Sequence, residues 1–323
     1  MVRVRVCVVG AGVIGLTCAI RLAEAGHSVR IVRQAPASAS VSAVAAAMWF
    51  PYRAFPQERV LGWSMTSLQA FGALAEDPAT GVALRQGIQL HRDIDPDLWW
   101  AEHLTELTLL AGADLPGRIG EDPAILGGLQ AQLPIIVMSS YLTWLERRCA
   151  DLGVTTTRAE LSSVGAADPS AEAVVLAVGL GAQQLVGDGE VTPIRGQVVR
   201  LANPGLTDWL LDEDDPEHFC YVIPRVDDVV CGGTADVGES SLEPDMSTEA
   251  VLLNRARALV PALADAPILS RAVGLRPGRT QVRLERCDDL DQAGRPVVAC
   301  YGHGGAGVTM SWGCADEVVA EFD

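Results

Sequence analysis

The sequence predicts an α/β fold of two domains, one built around a parallel sheet and the other around a mainly antiparallel sheet. Three observations predict it. An apolar strand from Val4 to Val9 runs straight into Gly10-Ala11-Gly12-Val13-Ile14-Gly15 and a helix. A second apolar strand, Ala173 to Val178, ends at Gly179 far along the chain. Beyond it, strand-like segments at Gln197 to Leu201, Cys220 to Pro224 and Val229 to Thr234 form a meander.

Val4, Val6, Val8 and Val9 read as a buried strand, and Leu16, Ala19, Ile20 and Ala23 recur at helical spacing up to Gly26, where a helix C-terminus favours glycine. Val29-Arg30-Ile31-Val32 starts the second strand. In the order strand, G-x-G-x-x-G, helix, the glycines give a tight turn, close backbone approach to a pyrophosphate and close helix packing, which predicts a Rossmann-like dinucleotide site. The unpaired amides and positive end of the helix would face the phosphates. The acidic residue that usually ends the second strand and bonds the ribose is replaced by Arg33-Gln34. The Gln34 amide would take that part, while Arg33 leaves NADP open through its attraction for a 2′-phosphate.

A Ser/Ala/Val stretch follows from Ala35 to Ala47, and Met48-Trp49-Phe50-Pro51-Tyr52 turns out of the first domain. Residues 57–75 read as a helix, with Leu61, Met65, Leu68 and Leu74 near helical spacing, and the next sixty or so as strands and loops of the second domain. A helix at Tyr141 to Leu152, a strand at Val154 to Thr157 and the Ala173 strand return the chain to the first domain.

At 323 residues the chain suits two domains rather than one core. Hydrophobic residues make up 49% and charged residues 20%, the balance of a folded enzyme rather than a disordered chain. A net charge of −17 repels nucleic acid and anionic membranes and points to small molecules. No uncharged apolar run approaches ~18 residues and the first strand begins at once, so we expect no membrane span, no cleavable signal and a cytoplasmic location. The eight cysteines include no C-x-x-C pair and no histidines at zinc spacing, which predicts reduced, buried thiols and no metal site. The sequence leaves the oligomeric state open, a homodimer included.

Near the C-terminus, Tyr301-Gly302-His303-Gly304-Gly305-Ala306-Gly307-Val308-Thr309 and then Trp312-Gly313-Cys314-Ala315 stand between a strand and a helix. Other blocks precede them in order: Ala45-Ala46-Ala47-Met48-Trp49 with Pro51-Tyr52, Arg195-Gly196-Gln197, Tyr221-Val222-Ile223-Pro224, and Gly274-Leu275-Arg276-Pro277 with Gln281-Val282-Arg283-Leu284-Glu285. Together they resemble, over the full length, the D-amino-acid oxidase family, flavoproteins of the amine-oxidase superfamily. The resemblance implies noncovalent FAD, held by a discontinuous domain of residues 1–55, 140–195 and 270–323. Residues 56–139 and 196–269 would form the substrate-binding domain.

The resemblance assigns cofactor contacts to Gly10, Ala11, Gly12, Val13, Ile14 and Gly15, to Arg33 and Gln34, to Ser42, Ala46, Ala47 and Met48, to Leu161 and Arg276, and to Gly304, Gly305, Gly307, Val308 and Thr309. Glycines in the last loop let the backbone pass close to a flat ring, and the helix after them aims its positive end there. Arg276, whose fork matches a carboxylate bidentately, is implied to bind the substrate carboxylate with help from the Tyr221 hydroxyl. The Gly305 carbonyl would accept from the substrate amine. Arg279 and Arg283 read as structural, and His303 as a packing residue rather than a base. The sequence departs from the family at Ala306, which replaces a larger residue, and at Ala299, which replaces a histidine. The tyrosine that closes the site from the lid is also missing, Glu217 falling near its place.

The implied chemistry is oxidation at the α-carbon of a D-amino acid, with dioxygen as second substrate and a 2-oxo acid, ammonia and hydrogen peroxide as products. Such a step needs position and electrostatics more than a side-chain base. We expect neutral, apolar D-amino acids, because Gly232-Gly233-Thr234 is followed by Ala235 where D-aspartate oxidases carry an arginine. Met48, Phe50 and Tyr52 would form an apolar wall, the acidic lid from Asp212 to Glu217 would repel a second carboxylate, and Arg225 would point to solvent. Glycine or sarcosine-type oxidation, D-aspartate oxidation and a dehydrogenase using another acceptor stay open as alternatives.

Overall fold

The computed structural model describes residues 3–214, 219–291 and 293–322. The chain opens with β1 (Arg5–Val9), α1 (Val13–Glu24) and β2 (Ser28–Arg33), then leaves this unit through α2 (Gln57–Leu74), β3 (Val82–His91), β4 (Leu107–Ala111) and β5 (Gly127–Ile136). It returns with α3 (Met138–Asp151), β6 (Thr155–Arg158), β7 (Ala173–Leu176) and α4 (Ala182–Val186). A second excursion holds β8 (Thr192–Ala202), β9 (Trp209–Asp212), β10 (Cys220–Pro224), β11 (Asp228–Gly232), β12 (Asp236–Val237), α5 (Met246–Leu259) and β13 (Ile268–Gly278). The chain closes with β14 (Arg283–Arg286), β15 (Val297–Tyr301) and α6 (Gly307–Ala320).

Among the described residues, six strands form one sheet in the order β14-β15-β7-β1-β2-β6, parallel except for β14. Its central strands are buried on both faces, which is why β1 and β7 read as unbroken apolar runs. The second sheet runs β12-β8-β11-β10-β9-β3-β5-β4, with β13 paired to β8, and all its pairings are antiparallel except β3 with β9. The meander expected from the sequence is its centre, and β10 spans the residues predicted.

The turn after β1 shows why glycine stands at position 10. Its φ is +112°, and a Cβ there would meet the Ala177 carbonyl oxygen at 2.2 Å. Gly15 sits one turn into α1 with the Gly10 carbonyl where its own Cβ would be, which packs helix on strand.

Three helices cover the parallel sheet on one side and lock to each other through buried polar bonds. The Thr17 hydroxyl of α1 donates to the Ser311 carbonyl of α6 at 3.1 Å, and the Trp312 indole donates to the Tyr141 hydroxyl of α3 at 2.9 Å. The Trp63 indole of α2 donates to Glu317 of α6 at 2.6 Å, so α2 packs with the cofactor-side helices although residues 56–139 were expected in the other domain. Residues 270–278 differ in the opposite sense: β13 pairs with β8 throughout, which places them, and residues 192–195, on the antiparallel sheet. The second difference arises because sheet membership is decided by a distant partner strand and not by local composition.

All eight cysteines are free and buried. No helix among the described residues is long and apolar enough to cross a membrane.

Candidate active site

A cavity of about 490 Å³ lies between the C-terminal ends of β1, β2, β7 and β15 and one face of the antiparallel sheet. That is where open α/β sheets bind ligands, and the volume is in the usual range for such sites. Gly10, Ala11, Gly12, Val13 and Ile14 form one part of its wall and Arg33 and Gln34 lie at the end of β2. Ser42, Ala46, Ala47 and Met48 form another part, and Gly304, Gly305, Gly307 and Val308 line the side reached by α6.

A dinucleotide fits this wall. Neither α1 nor α6 has a side-chain cap, so first-turn amides of both remain for a ligand, apart from that of Val13, which donates to Ser42 Oγ at 3.1 Å. Two arginines line the cavity. Arg33 is committed to Glu146 of α3, which removes it from the 2′-phosphate role that kept NADP open. Gln34 stays exposed at the rim, with Glu160 at 3.4 Å.

Three expected cofactor residues do not reach the wall. Gly15 is occupied beneath the turn as described. The Thr309 hydroxyl is spent on the Phe50 backbone, accepting from its amide at 3.0 Å and donating to its carbonyl at 2.9 Å. Leu161, in the loop after β6, packs into the apolar cluster under the parallel sheet.

On the antiparallel sheet, side chains alternate between faces, and one face supplies Val198 and Gly196 of β8, Leu211 of β9, Tyr221 and Ile223 of β10, and Gly274 and Arg276 of β13. Arg276 donates to the Thr234 carbonyl at 2.8 Å and lies beside the Tyr221 hydroxyl. It has no carboxylate partner among the described residues, so its guanidinium retains charge and donors for a ligand. Burial pushes the Tyr221 hydroxyl up, against the pull of Arg276, and keeps it a protonated donor. Its ring rests on Gly232, where a Cβ would come within 2.3 Å of Cζ. Gly305 places its backbone between Tyr52 and Arg276, its Cα facing Tyr52 Cδ1 so closely that a Cβ would lie 3.1 Å away.

The other arginines are structural, as the sequence suggested. Arg279 and Arg283 both reach the buried Asp188 carboxylate, at 3.2 and 3.3 Å, and the Tyr301 hydroxyl donates to it at 3.0 Å. Burial pushes Asp188 up, but Tyr301, the Glu190 amide and Arg279 outweigh it and hold the carboxyl below its usual range. Arg225 corrects the expectation of a solvent-facing side chain. It is buried and paired with Asp228, because the hairpin turn brings that carboxylate back beside it, and it does not face the cavity. His303 lies buried on the cavity wall with Nε2 3.9 Å from Cys300 Sγ, and burial lowers its pKa to about 4.

The apolar wall is larger than the sequence indicated. Met48, Phe50 and Tyr52 line it, joined by Leu211 and Phe219. Phe219 stacks on Tyr52 with centroids 6.0 Å apart and planes 2° from parallel, and meets Tyr221 edge-on at 6.0 Å. Glu217, expected near the place of the missing tyrosine, lies outside the described residues; Phe219 is the aromatic residue this segment lends to the wall. Asp212 turns away into an ion pair with Arg92, with contacts of 2.6 and 3.1 Å. Asp214 accepts from the Arg92 amide at 2.9 Å and faces His91. Of the described lid carboxylates only Glu213 faces the cavity.

The chain matches the FAD dependent oxidoreductase family over residues 5–321. It is 45% identical over 317 residues to a D-amino-acid oxidase of Rubrobacter xylanophilus, covering 98% of this chain and 95% of that one. It is 42% identical over 315 residues to a D-amino-acid oxidase of Streptomyces coelicolor, covering 97% and 94%. Among solved structures it resembles glycine oxidase from Geobacillus kaustophilus, with a TM-score of 0.80 at 21% identity over 98% of this chain and 94% of that one, a likeness of fold alone. With the strand–glycine–helix turn, the cavity wall and the full-length match in agreement, this chain belongs to the family of FAD-dependent oxidoreductases, with FAD as its cofactor.

Proposed function

We propose that the chain catalyses oxidative deamination of D-amino acids, with preference for neutral, apolar side chains. A D-amino acid, dioxygen and water would yield a 2-oxo acid, ammonia and hydrogen peroxide. The observation that carries the reading is Arg276, a half-buried guanidinium on the cavity wall with no carboxylate partner among the described residues and a tyrosine hydroxyl beside it. The names of the two bacterial relatives support the D configuration.

The wall residues would hold FAD by the α1 and α6 amides and the glycine backbone. When bound, FAD supplies the two-electron acceptor for the α-carbon–nitrogen bond and passes the electrons to dioxygen. Arg276 and Tyr221 fix the substrate carboxylate, and the Gly305 carbonyl accepts from its amine and orients the α-carbon. Tyr52, Phe219 and Phe50 shield that carbon from water. His303 is neutral above about pH 4 and sealed from the solvent, so positioning carries the work assigned elsewhere to a base.

The apolar preference draws on three observations. Met48, Phe50, Leu211 and Ile223 surround the side-chain space, Ala235 follows Gly232-Gly233-Thr234, and the nearby Arg225 is tied to Asp228. A second substrate carboxylate would be desolvated without a partner there. Peroxide release should be measured across D-, L- and N-methylated amino acids. kcat/KM for D-valine, D-leucine or D-methionine is expected to exceed that for D-aspartate by at least about a hundredfold. Activity confined to L- or N-methylated substrates would overturn the reaction, and equal rates on D-aspartate the preference.

A further inference from the structure

We propose that Asp188 is a positioning residue for the reaction: it fixes the separation between Arg276 and Gly305, and with it the fit of the substrate carboxylate and amine as a pair. The inference rests on the D-amino-acid reading above and assigns to that site a residue that does not line the cavity.

Asp188 stands buried in the turn between α4 and β8, and its carboxylate takes donors from separate parts of the chain. Oδ1 accepts from the Glu190 amide at 3.1 Å. Oδ2 accepts from Arg279 Nε, just beyond β13, at 3.2 Å, from Arg283 Nη1 on β14 at 3.3 Å, and from the Tyr301 hydroxyl at the end of β15 at 3.0 Å. Arg283 also donates to that hydroxyl at 2.8 Å. One carboxylate therefore ties the strand that carries Arg276 to the strand that leads into the loop from Gly302 to Gly305.

The tie reaches the loop through Arg279. Gly302 has a φ of +82°, and a Cβ there would lie 2.9 Å from Arg279 Cβ and 3.0 Å from its Cδ, so the loop rests directly on the arginine stem. Two residues on, the Gly304 amide donates to the Pro277 carbonyl at 2.8 Å. At the end of this seam Gly305 packs against Arg276, whose Cδ lies 3.5 Å from the point that a Cβ at 305 would occupy. A shift of the segment from Arg276 to Arg279 against the loop thus changes the distance between carboxylate anchor and amine acceptor without removing either. The other ion pairs of Arg279 and Arg283 do not hold the seam. Glu190 meets Arg279 at 3.3 Å and Glu285 meets Arg283 at 2.8 Å, but both acids are more than half exposed, where such a pair is worth little. Asp188 is the buried partner of both arginines, and a shared, desolvated carboxylate holds them far more firmly.

The test uses Asp188→Asn on the FAD-loaded enzyme. The amide keeps the size of the side chain and can still accept from Glu190, but it turns N–H donors toward two guanidinium groups and a hydroxyl. kcat/KM for D-leucine is expected to fall about thirtyfold. A measurement without turnover separates positioning from general loosening. 2-Aminoisobutyrate offers a carboxylate and an amine but has no α-hydrogen to lose, whereas isobutyrate offers the carboxylate alone, and the perturbation of the flavin spectrum gives the affinity of each. In Asp188→Asn the ratio of the two affinities should move about tenfold against the amino compound, while isobutyrate itself changes less than about threefold. Arg279→Ala, which leaves Asp188 its bonds to Arg283 and Tyr301, should give the same selective loss and tests the same link if Asp188→Asn does not fold. The double variant should lose no more than either single one, because both act through one contact. An unchanged ratio of the two ligands, or additive losses in the double variant, would overturn the proposal. Absence of peroxide from D-leucine with the wild type would instead overturn the D-amino-acid reading, and the ligand ratio would still decide the role of Asp188.

Discussion

The guanidinium of Arg276 lies over the backbone of Gly196, in the space any side chain at 196 would take: a Cβ there would fall 2.4 Å from Nη1 and 2.5 Å from Cζ. The strands are paired so that Gly274 faces Gly196 and Arg276 faces Ile194, and the arginine folds back along its neighbour. Only the flexible end of a side chain would have to yield to a methyl group. Gly196→Ala is therefore expected to keep the fold and FAD but to displace the carboxylate anchor. kcat/KM for D-leucine should drop roughly tenfold to a hundredfold, mostly through KM, with Tm within about 3 °C of wild type. Unchanged kinetics would show that the anchor lies elsewhere.

Arg276→Ala removes the anchor itself. The expected loss is about 3–5 kcal/mol of transition-state stabilisation, because a partly desolvated substrate carboxylate is left without its cation. The flavin absorbance of the purified variant should match the wild type. Lysine at 276 should recover only part of the activity, having a point charge in place of a fork. A fall of less than about tenfold in Arg276→Ala would contradict the assignment.

The purified protein is expected to be yellow and to release its colour on acid precipitation, since the one cysteine on the cavity wall, Cys300, is buried and far from thiolate character. Gly10→Ala presents a different case from Gly196→Ala, because its methyl would strike the Ala177 backbone carbonyl and not a mobile tip. That variant should come out pale and less stable, a result read from its visible spectrum and its melting curve.

His303 gives a pH dependence whose sign can be worked out. Burial holds it neutral down to about 4, whereas in the unfolded chain it titrates near 6.5. Between those values the unfolded state binds a proton that the folded state refuses, so this residue costs stability as the pH falls, about 2 kcal/mol by pH 5. Glu213 acts in the opposite direction over the same range, its folded-state pKa being raised to about 7. The His303 contribution is therefore read as a difference: His303→Gln should gain on the wild type in urea midpoint as the pH is lowered from 7 to 5. Parallel curves would show that the imidazole is solvated in the folded state.

What the sequence made legible was local. The β1 turn, α1 and β10 depend on alternation, helical spacing and glycine chemistry within a few residues, and they appear where those signals stand. The Arg225–Asp228 pair was legible in principle as an i,i+3 partner across a turn, and the expectation that Arg225 points to solvent missed it. Helix α5 also carried a signal, since Asp245 caps it by accepting from the Thr248 amide at 2.6 Å ahead of buried Leu252, Leu253 and Ala256. Glu213 and Phe219 were not legible. They face the cavity because β9 and β10 pair with each other and β9 runs parallel to β3, and those pairings follow from the whole sheet.

The cofactor wall is assembled from both ends of the sequence, α1 on one side and the Gly304 to Val308 turn of α6 on the other. During synthesis, a nascent polypeptide that has not yet passed residue 307 has the first turn but lacks the opposite bank, however well β1 and α1 have formed. Loading of flavin is thereby deferred until translation of this region is complete. Until then the apolar lining at Met48, Phe50 and Leu211 is without its cover, an exposed apolar surface of the kind that favours aggregation.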